Sequence, residues 1–413
     1  MRVFLHTFGC KANQYDTETV RQAVELAGAE VVSDPAEADA AVVNSCTVTH
    51  VAEAKMRGLV RRLARERPGV RTVVMGCAAA LDGGAIAALP GVAGVVGGSN
   101  PSRVLEMLEL SSAGLDPILR SFARGGRGWL RIQDGCDEHC TFCATTLARG
   151  ANRSRTAAEL VEEATALAEH HAELVLTGIH IGTYGADLSG RENLGRLTER
   201  LVAAVPRVRF RLSSVEATEV DDRLTDLMAA APDRLAPHLH APLQSGSDPV
   251  LKRMGRHWYT AARYRERIET LAARLPTFGL GADVMVGFPG ETEADHGATV
   301  ALIEALPFTY LHVFPYSERP GVAARRLGPA VDPRVASGRS ADLRAVAERK
   351  GEAYRATRDG QRADVVITGR SHGKYEGLTE DYLPVYVDSG APVAVRFAGK
   401  LGLQDGVLMV QAG

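Results

Sequence analysis

The six cysteines of this chain form two groups of three: Cys10, Cys46 and Cys77, spread over the first quarter, and Cys136, Cys140 and Cys143, packed into eight residues. The compact group reads Cys-x3-Cys-x2-Cys. A loop with that spacing can aim three thiolates at one inorganic cluster and leave one iron without a protein ligand. The open iron of a 4Fe-4S cube can be chelated by the amino and carboxylate groups of S-adenosylmethionine, and electron transfer then splits the sulfonium and releases a deoxyadenosyl radical. Phe142, just before the last cysteine, is placed to cover such a cofactor. The alternative is a zinc knuckle with His139 as fourth ligand. Structural zinc sites, however, normally pair two separated Cys-x2-Cys or His elements.

Cys10, Cys46 and Cys77 taken singly could be small buried hydrophobes, since free cysteine is among the most buried residue types. Their shared position argues otherwise. Each follows an apolar run, at residues 3–8, 40–43 and 72–75, and precedes a helical pattern. Val20, Ala23, Val24 and Ala27 make one apolar stripe, and Ala52, Met56, Leu59, Val60 and Leu63 another. In an open parallel sheet ligands gather beyond the carboxyl ends of the strands, so these three thiols can converge. Three thiolates again form an incomplete cage, which implies a second cluster with an exposed iron.

Elements must exist to hold these loops. A chain of 413 residues exceeds one core, so two or three domains are expected. With 45% hydrophobic and 24% charged residues and no low-complexity tract, the composition is that of a soluble globular protein. No basic stretch leads into an apolar one at the amino terminus, and no run of about eighteen apolar residues occurs. A cytoplasmic location with no membrane partner is expected. In that reducing compartment six cysteines at these spacings read as metal ligands rather than disulfides. The net charge of −2 neither demands nor forbids a nucleic-acid partner.

Residues 97–128, including Ser111-Ser112-Ala113-Gly114, read as a linker. Strand patterns follow at 129–133, 174–177, 208–212, 237–241, 280–286 and 310–314, separated by helical ones such as 157–169, 221–230 and 260–273. Six β/α units predict a parallel, partly closed barrel with its active face at the carboxyl ends of its strands, where the compact cysteine loop also falls. A long helix at 333–358 precedes short β runs at 364–368, 383–387, 393–397 and 407–410, enough for a small β-barrel of a kind that often binds oligonucleotides. Ser213, Ser214 and Glu216 at the end of one barrel strand are candidates to touch cofactor polar groups, with helix capping as the alternative. The turn containing Gly287 and Pro289 could bring backbone amides to S-adenosylmethionine, or simply be a tight βα turn. Arg57, Arg61 and Arg65, with Lys55 and Arg62 nearby, line a helix face that could meet phosphates or only solvent. Segment 361–413 holds five Lys or Arg against six Asp or Glu, so its module is not basic overall.

Residues 6–18 (His-Thr-Phe-Gly-Cys-Lys-Ala-Asn-Gln-Tyr-Asp-Thr-Glu), Asn44-Ser45-Cys46-Thr47-Val48-Thr49, Gly76-Cys77 and the Cys136 loop together resemble the methylthiotransferase family of radical S-adenosylmethionine enzymes. The likeness continues through Leu212-Ser213-Ser214, Pro242-Leu243-Gln244-Ser245-Gly246-Ser247 and Gly287-Phe288-Pro289-Gly290-Glu291. It implies an α/β protein: an open-sheet methylthiotransferase domain over 1–115, a partial (β/α)6 radical core over 122–358 and a β-barrel TRAM domain over 359–413. It implies two 4Fe-4S clusters and S-adenosylmethionine as cofactors. The Cys136, Cys140, Cys143 cluster would generate the radical that takes hydrogen from C2 of an adenine, and the Cys10, Cys46, Cys77 cluster would hold methylated sulfur for insertion. The residues after Cys10 and Cys46 look most like the branch acting on N6-threonylcarbamoyladenosine at position 37 of tRNA. Isopentenyladenosine-37 or a ribosomal-protein aspartate are alternative substrates, and a non-catalytic RNA-binding protein with structural metal sites is the alternative of another class. The implied partners are the tRNA anticodon loop and an electron donor such as a flavodoxin. One departure stands out: after Cys143 the family commonly has Ile-Ile-Pro or similar, and here Ala144-Thr145-Thr146.

Overall fold

A computed structural model describes residues 1–47, 50–123, 125–371, 373–387 and 395–412. Val48 and Thr49 of the second cysteine motif, and the first half of the expected strand 393–397, lie outside the described residues.

The chain opens with a five-stranded parallel sheet: β1 (Arg2–Thr7), β2 (Glu30–Val32), β3 (Ala40–Ser45), β4 (Arg71–Gly76) and β5 (Val92–Gly97), in the order β2-β1-β3-β4-β5. All six residues of central β3 are buried, as a parallel strand covered on both faces requires. The stripe Val20, Ala23 and Val24 of α1 (Lys11–Leu26) packs on one face beside Val104 and Leu105 of α4 (Pro101–Met107). Met56, Leu59, Val60 and Leu63 of α2 (His50–Glu66) cover the other face with Ala78 and Ala79 of the short α3 (Cys77–Ala80). Two sheet strands escape the sequence patterns because β2 is three residues long and β5 is interrupted by glycine. The expected linker 97–128 also begins later than its composition implies: Asn100 caps α4 through the Arg103 amide, with Pro101 at the first helical position.

Six parallel strands follow in chain order: β6 (Arg127–Arg131), β9 (Glu173–Thr177), β10 (Arg209–Leu212), β11 (His238–His240), β12 (Gly279–Val286) and β13 (Tyr310–Pro315). The bridges Phe210 to Leu235 and Ser214 to His240 join the two halves between β10 and β11, which makes the expected partial barrel. The antiparallel pair β7 (Gln133–Asp134) and β8 (Arg153–Ser154) brackets the cysteine loop and the short helix α5 (Thr145–Arg149). Outside lie α6 (Ala157–Ala168), α7 (Leu194–Ala204), α8 (Asp222–Ala230), α9 (Asp248–Arg253), α10 (Ala261–Arg274) and α11 (Glu293–Ala305), whose apolar faces join one continuous core. Capping boxes start α6 (Thr156 with Glu159) and α11 (Thr292 with Asp295).

Helix α12 (Pro333–Arg358) leads to a closed barrel of β14 (Arg362–Ser371), β15 (Lys374–Leu378), β16 (Pro384–Val387), β17 (Arg396–Gln404) and β18 (Val407–Ala412). Lys-Tyr-Glu-Gly-Leu of β15 lacks β-branched residues, and Gly399 and Gly402 break the pattern of β17, so neither strand is fully legible beforehand. Among the described residues no helix is long and apolar enough to cross a membrane.

Buried polar groups join the three parts. Tyr15 of α1 donates to Glu163 of α6 at 2.9 Å, and Asp16 pairs with Arg131 of β6 and Arg149 of α5. Glu173 of β9 accepts from Arg127, Arg209 and Arg211, and the last two reach on to the carbonyls of Asp364, Thr379 and Glu380 at the small barrel.

Candidate active site

All six cysteines line one cavity of about 620 Å³ at the carboxyl ends of both sheets. On the amino-terminal sheet, Cys10 starts α1, Cys46 follows β3 and Cys77 opens α3. Asn13 Nδ2 donates to Asn44 Oδ1 at 2.8 Å and to the Ser45 carbonyl at 3.2 Å, which ties the first cysteine loop to the second. Ser45 Oγ bonds the Met75 carbonyl at 2.6 Å and accepts from the Ala79 amide, which ties the second to the third. Gly76 is required for this closeness: at φ +98° a side chain there would meet Asn44 Oδ1 at 2.2 Å.

In the compact loop, Gly135 at φ +71° lies so near the Ala151 carbonyl that a Cβ would approach it to 1.9 Å. Gln133 accepts from the Ile179 and His180 amides and donates to Asn152, which pins the loop to the end of β9. The Ala144-Thr145-Thr146 departure begins α5, where the Thr145 amide points to Cys143 Sγ at 3.4 Å. That helix carries Arg149, so the substituted loop is held by helical bonds and by ion pairs to Asp16 and Asp134.

Each trio has a positive or donating group against a sulfur. Arg149 Nε reaches Cys77 Sγ at 3.2 Å, Arg256 Nη1 reaches Cys140 Sγ at 3.7 Å, and His180 Nδ1 lies 3.6 Å from Cys136 Sγ. Burial pushes the Cys77 thiol up to about 11 against the pull of Arg149, and the Cys140 thiol up to about 12 against that of Arg256. For His180, burial lowers the affinity for a proton, but bonds to Cys136 and Glu219 outweigh it and bring the group to about 10. Burial also raises Glu216, opposed by its ion pair with Arg256.

These residues fit iron-sulfur clusters better than zinc. Zinc-thiolate bonds of roughly 2.3 Å put the sulfurs of one ion about 4 Å apart. Among the described residues the one set of three potential ligands within 4.8 Å of one another is His240, Asp283 and His312; neither cysteine trio is that tight. Sulfurs bound to different irons of a cube must stand farther apart, and the adjacent guanidiniums offset the negative charge of three thiolates. His139, the ligand a zinc knuckle would need, is exposed and does not line the cavity. Two residues that line the cavity, Glu216 and Gln244, each keep a buried oxygen, Oε2 and Oε1, without a hydrogen-bond partner among the described residues.

Phe142, Ser213, Ser214 and Glu216 line the same cavity. Gly287 and Pro289 do not: they line a separate cavity of about 390 Å³ with Tyr316 and Ser340. Asp283 faces the main cavity, but β12 runs three residues past it before turning. The turn's amides are also taken internally, Gly287 N by Glu291 Oε2 at 2.6 Å and Gly290 N by the Pro329 carbonyl at 2.8 Å. Arg57 and Arg65 of α2 pair with Glu53 and Glu66, and Arg61 is exposed. Spacing alone did not single out Arg149, Arg256, His180 or Asp16. The nearest signal was the position of Arg149 in the block that follows the last cysteine.

Comparisons with known proteins follow the same lines. Residues 2–97 match the model of Uncharacterized protein family UPF0004, and residues 130–303 that of the Radical SAM superfamily. A threonylcarbamoyladenosine tRNA methylthiotransferase of Bacillus subtilis is 35% identical over 406 residues, covering 93% of this chain and 89% of that one. Its namesake in Aquifex aeolicus is 33% identical over 404 residues, 93% of this chain and 96% of that protein. A tRNA-2-methylthio-N(6)-dimethylallyladenosine synthase of Jannaschia sp. is 34% identical over 411 residues, 94% of this chain and 88% of the other. Among solved structures, a radical S-adenosylmethionine methyltransferase of Kitasatospora setae with cobalamin and a [4Fe-4S] cluster bound shares the fold with a TM-score of 0.58 at 17% identity, over 76% of this chain and 74% of that chain.

Proposed function

Because the chain belongs to the methylthiotransferase family of radical S-adenosylmethionine enzymes, we propose that it is a tRNA methylthiotransferase that inserts a methylthio group at C2 of N6-threonylcarbamoyladenosine-37. The observation that carries this is the single cavity into which both cysteine trios open. Its cofactors are S-adenosylmethionine and two 4Fe-4S clusters. When bound, the cluster on Cys136, Cys140 and Cys143 supplies a deoxyadenosyl radical from S-adenosylmethionine, and the one on Cys10, Cys46 and Cys77 supplies the sulfur.

The chain's own residues orient and shield. Glu216 and Gln244 present acceptors to the amino group of S-adenosylmethionine, Ser213 and Ser214 stand beside them, and half-buried Phe142 covers that cofactor. Arg256 is held by Glu216 and by Tyr259 at 2.9 Å, which fixes its guanidinium against Cys140. Arg149 does the same for Cys77. Holding both reacting partners in one cavity makes the transfer intramolecular, which is worth several kcal/mol of barrier.

Division into an amino-terminal domain at 1–115, a radical core at 122–358 and a TRAM domain at 359–413 is supported by the succession along the chain of a five-stranded sheet, a partial barrel and a closed barrel. The tRNA anticodon loop as docking partner, a flavodoxin-like electron donor and a cytoplasmic location complete the reading. Relatives named for threonylcarbamoyladenosine and for dimethylallyladenosine are almost equally identical to this chain, so the product must be measured. Nucleoside mass spectrometry of tRNA from a deletion strain is expected to show loss of the methylthio derivative of threonylcarbamoyladenosine. Its persistence, with loss of methylthio-dimethylallyladenosine instead, would overturn the substrate assignment.

A further inference from the structure

The inference rests on the threonylcarbamoyl reading and concerns cavity-lining side chains other than the cysteines and the groups that meet their sulfurs. There a second group of lining side chains interlocks. The Tyr310 hydroxyl meets His238 Nε2 at 2.9 Å and His240 Nδ1 at 3.1 Å, while His240 and His312 both reach Asp283 Oδ1 at 3.2 Å. Tyr382, from the small barrel, stacks on His238 at 4.3 Å between ring centroids.

This wall also carries polar groups without a partner among the described residues. Three guanidiniums share Glu173, and Arg127 Nη2 is buried with no partner among the described residues. His238 Nδ1 is likewise buried, in a side chain 2% exposed, and unpartnered. Lys11 lines the cavity, half-buried, and no carboxylate among the described residues pairs with it. His312 presents a largely exposed imidazole. An anionic, hydrogen-bonding ligand would pair the accessible Lys11 and His312. An apolar five-carbon prenyl substituent would cover them unpaired, the situation in which polar sites discriminate most strongly.

We propose that this wall seats the N6 side chain of the substrate: Lys11 takes its carboxylate, His312 serves its carbamoyl and hydroxyl groups, and the wall thereby selects a carboxylated over a prenylated adenosine. The reacting C2 and the C6 that carries the N6 substituent flank N1 of the adenine, one on each side, so one base can turn C2 to the clusters while its tail meets this wall.

The test uses anticodon stem-loop RNAs carrying threonylcarbamoyladenosine, dimethylallyladenosine or plain adenosine at position 37. Each is titrated by fluorescence anisotropy against anaerobically reconstituted enzyme and its Lys11→Met, Lys11→Arg and His312→Phe variants. The unaltered enzyme is expected to bind the carboxylated loop about tenfold or more tighter than the other two, the value of one charge-assisted hydrogen bond. Lys11→Met and His312→Phe should erase most of that preference with unchanged affinity for the plain loop and unchanged cluster absorbance, and Lys11→Arg should restore it. His312 is far from the cysteine loops in sequence, so His312→Phe still decides the matter if Lys11→Met impairs cluster loading. Variants that keep the full preference would overturn the proposal, while methylthiolation of the carboxylated loop by the unaltered enzyme kept the functional reading intact. An unaltered enzyme that preferred and methylthiolated the dimethylallyl loop would overturn both.

Discussion

Arg149 and Arg256 show how single side chains from distant segments complete the surroundings of the cysteine sulfurs. Both are nearly inaccessible, with side chains 2% and 6% exposed, and both divide their hydrogen bonds between a carboxylate and a cysteine sulfur. Arg149→Met would leave buried Asp16 without one of its two cations, and we expect a loss of about 3–5 kcal/mol in denaturant unfolding. Cys140→Ala and Cys46→Ala should each lower the iron count of anaerobically reconstituted protein from about eight to about four. They should differ in chemistry: Cys140→Ala stops formation of 5′-deoxyadenosine, and Cys46→Ala leaves it measurable while methylthio product disappears. Equal loss of cleavage in two folded variants would contradict that division of labour. Cysteine spacing made the two trios legible. The arginines were not, because each reaches its sulfur from a distant segment, 72 residues away for Cys77 and 116 for Cys140.

At the scale of elements, β9 carries the decisive buried charge. Glu173, wholly inaccessible, stands at the start of that strand, where neighbouring β6 and β10 bring Arg127, Arg209 and Arg211 onto it. Burial alone would raise its carboxyl, but Arg211, Arg209 and Arg127 reverse this and hold it well below the ordinary 4.5. Its contribution to stability is therefore full above about pH 4.5 and drains away as the pH falls below that value. Glu173→Gln leaves three guanidiniums with little compensation and should cost about 3–5 kcal/mol near neutral pH. The variant should also lack this part of the acid limb when melting temperature is followed from pH 6 to pH 3. A variant with unchanged melting and an unchanged limb would show that the charges are satisfied elsewhere. The strands themselves were readable from their apolar runs; a glutamate inside an apolar strand gives no hint of its partners, since those are set by register between strands.

For the whole molecule, the chemistry depends on one sheet docking over the end of another. Helix α1 makes that contact: Tyr15 is seated on Glu163, with Arg155 3.1 Å from its hydroxyl, and Asp16 bridges Arg131 and Arg149. Tyr15→Phe removes a hydrogen bond to a charged group, worth about 1.5–3 kcal/mol, while keeping the ring. Both clusters should still load in that variant, and the yield of methylthio product per 5′-deoxyadenosine should fall as the two trios lose their fixed separation. An unchanged ratio would mean that this bond does not govern the docking. By itself the sequence determined the two cysteine trios, the parallel sheets and their order along the chain, because cysteine spacing and apolar periodicity are local properties. Only the tertiary structure decided that the trios share one cavity, that Gly287 and Pro289 stand outside it, and that Lys11, Arg127, His238 and His312 stand inside. Those facts depend on strand length, register and domain docking, which arise from packing between residues a hundred or more positions apart.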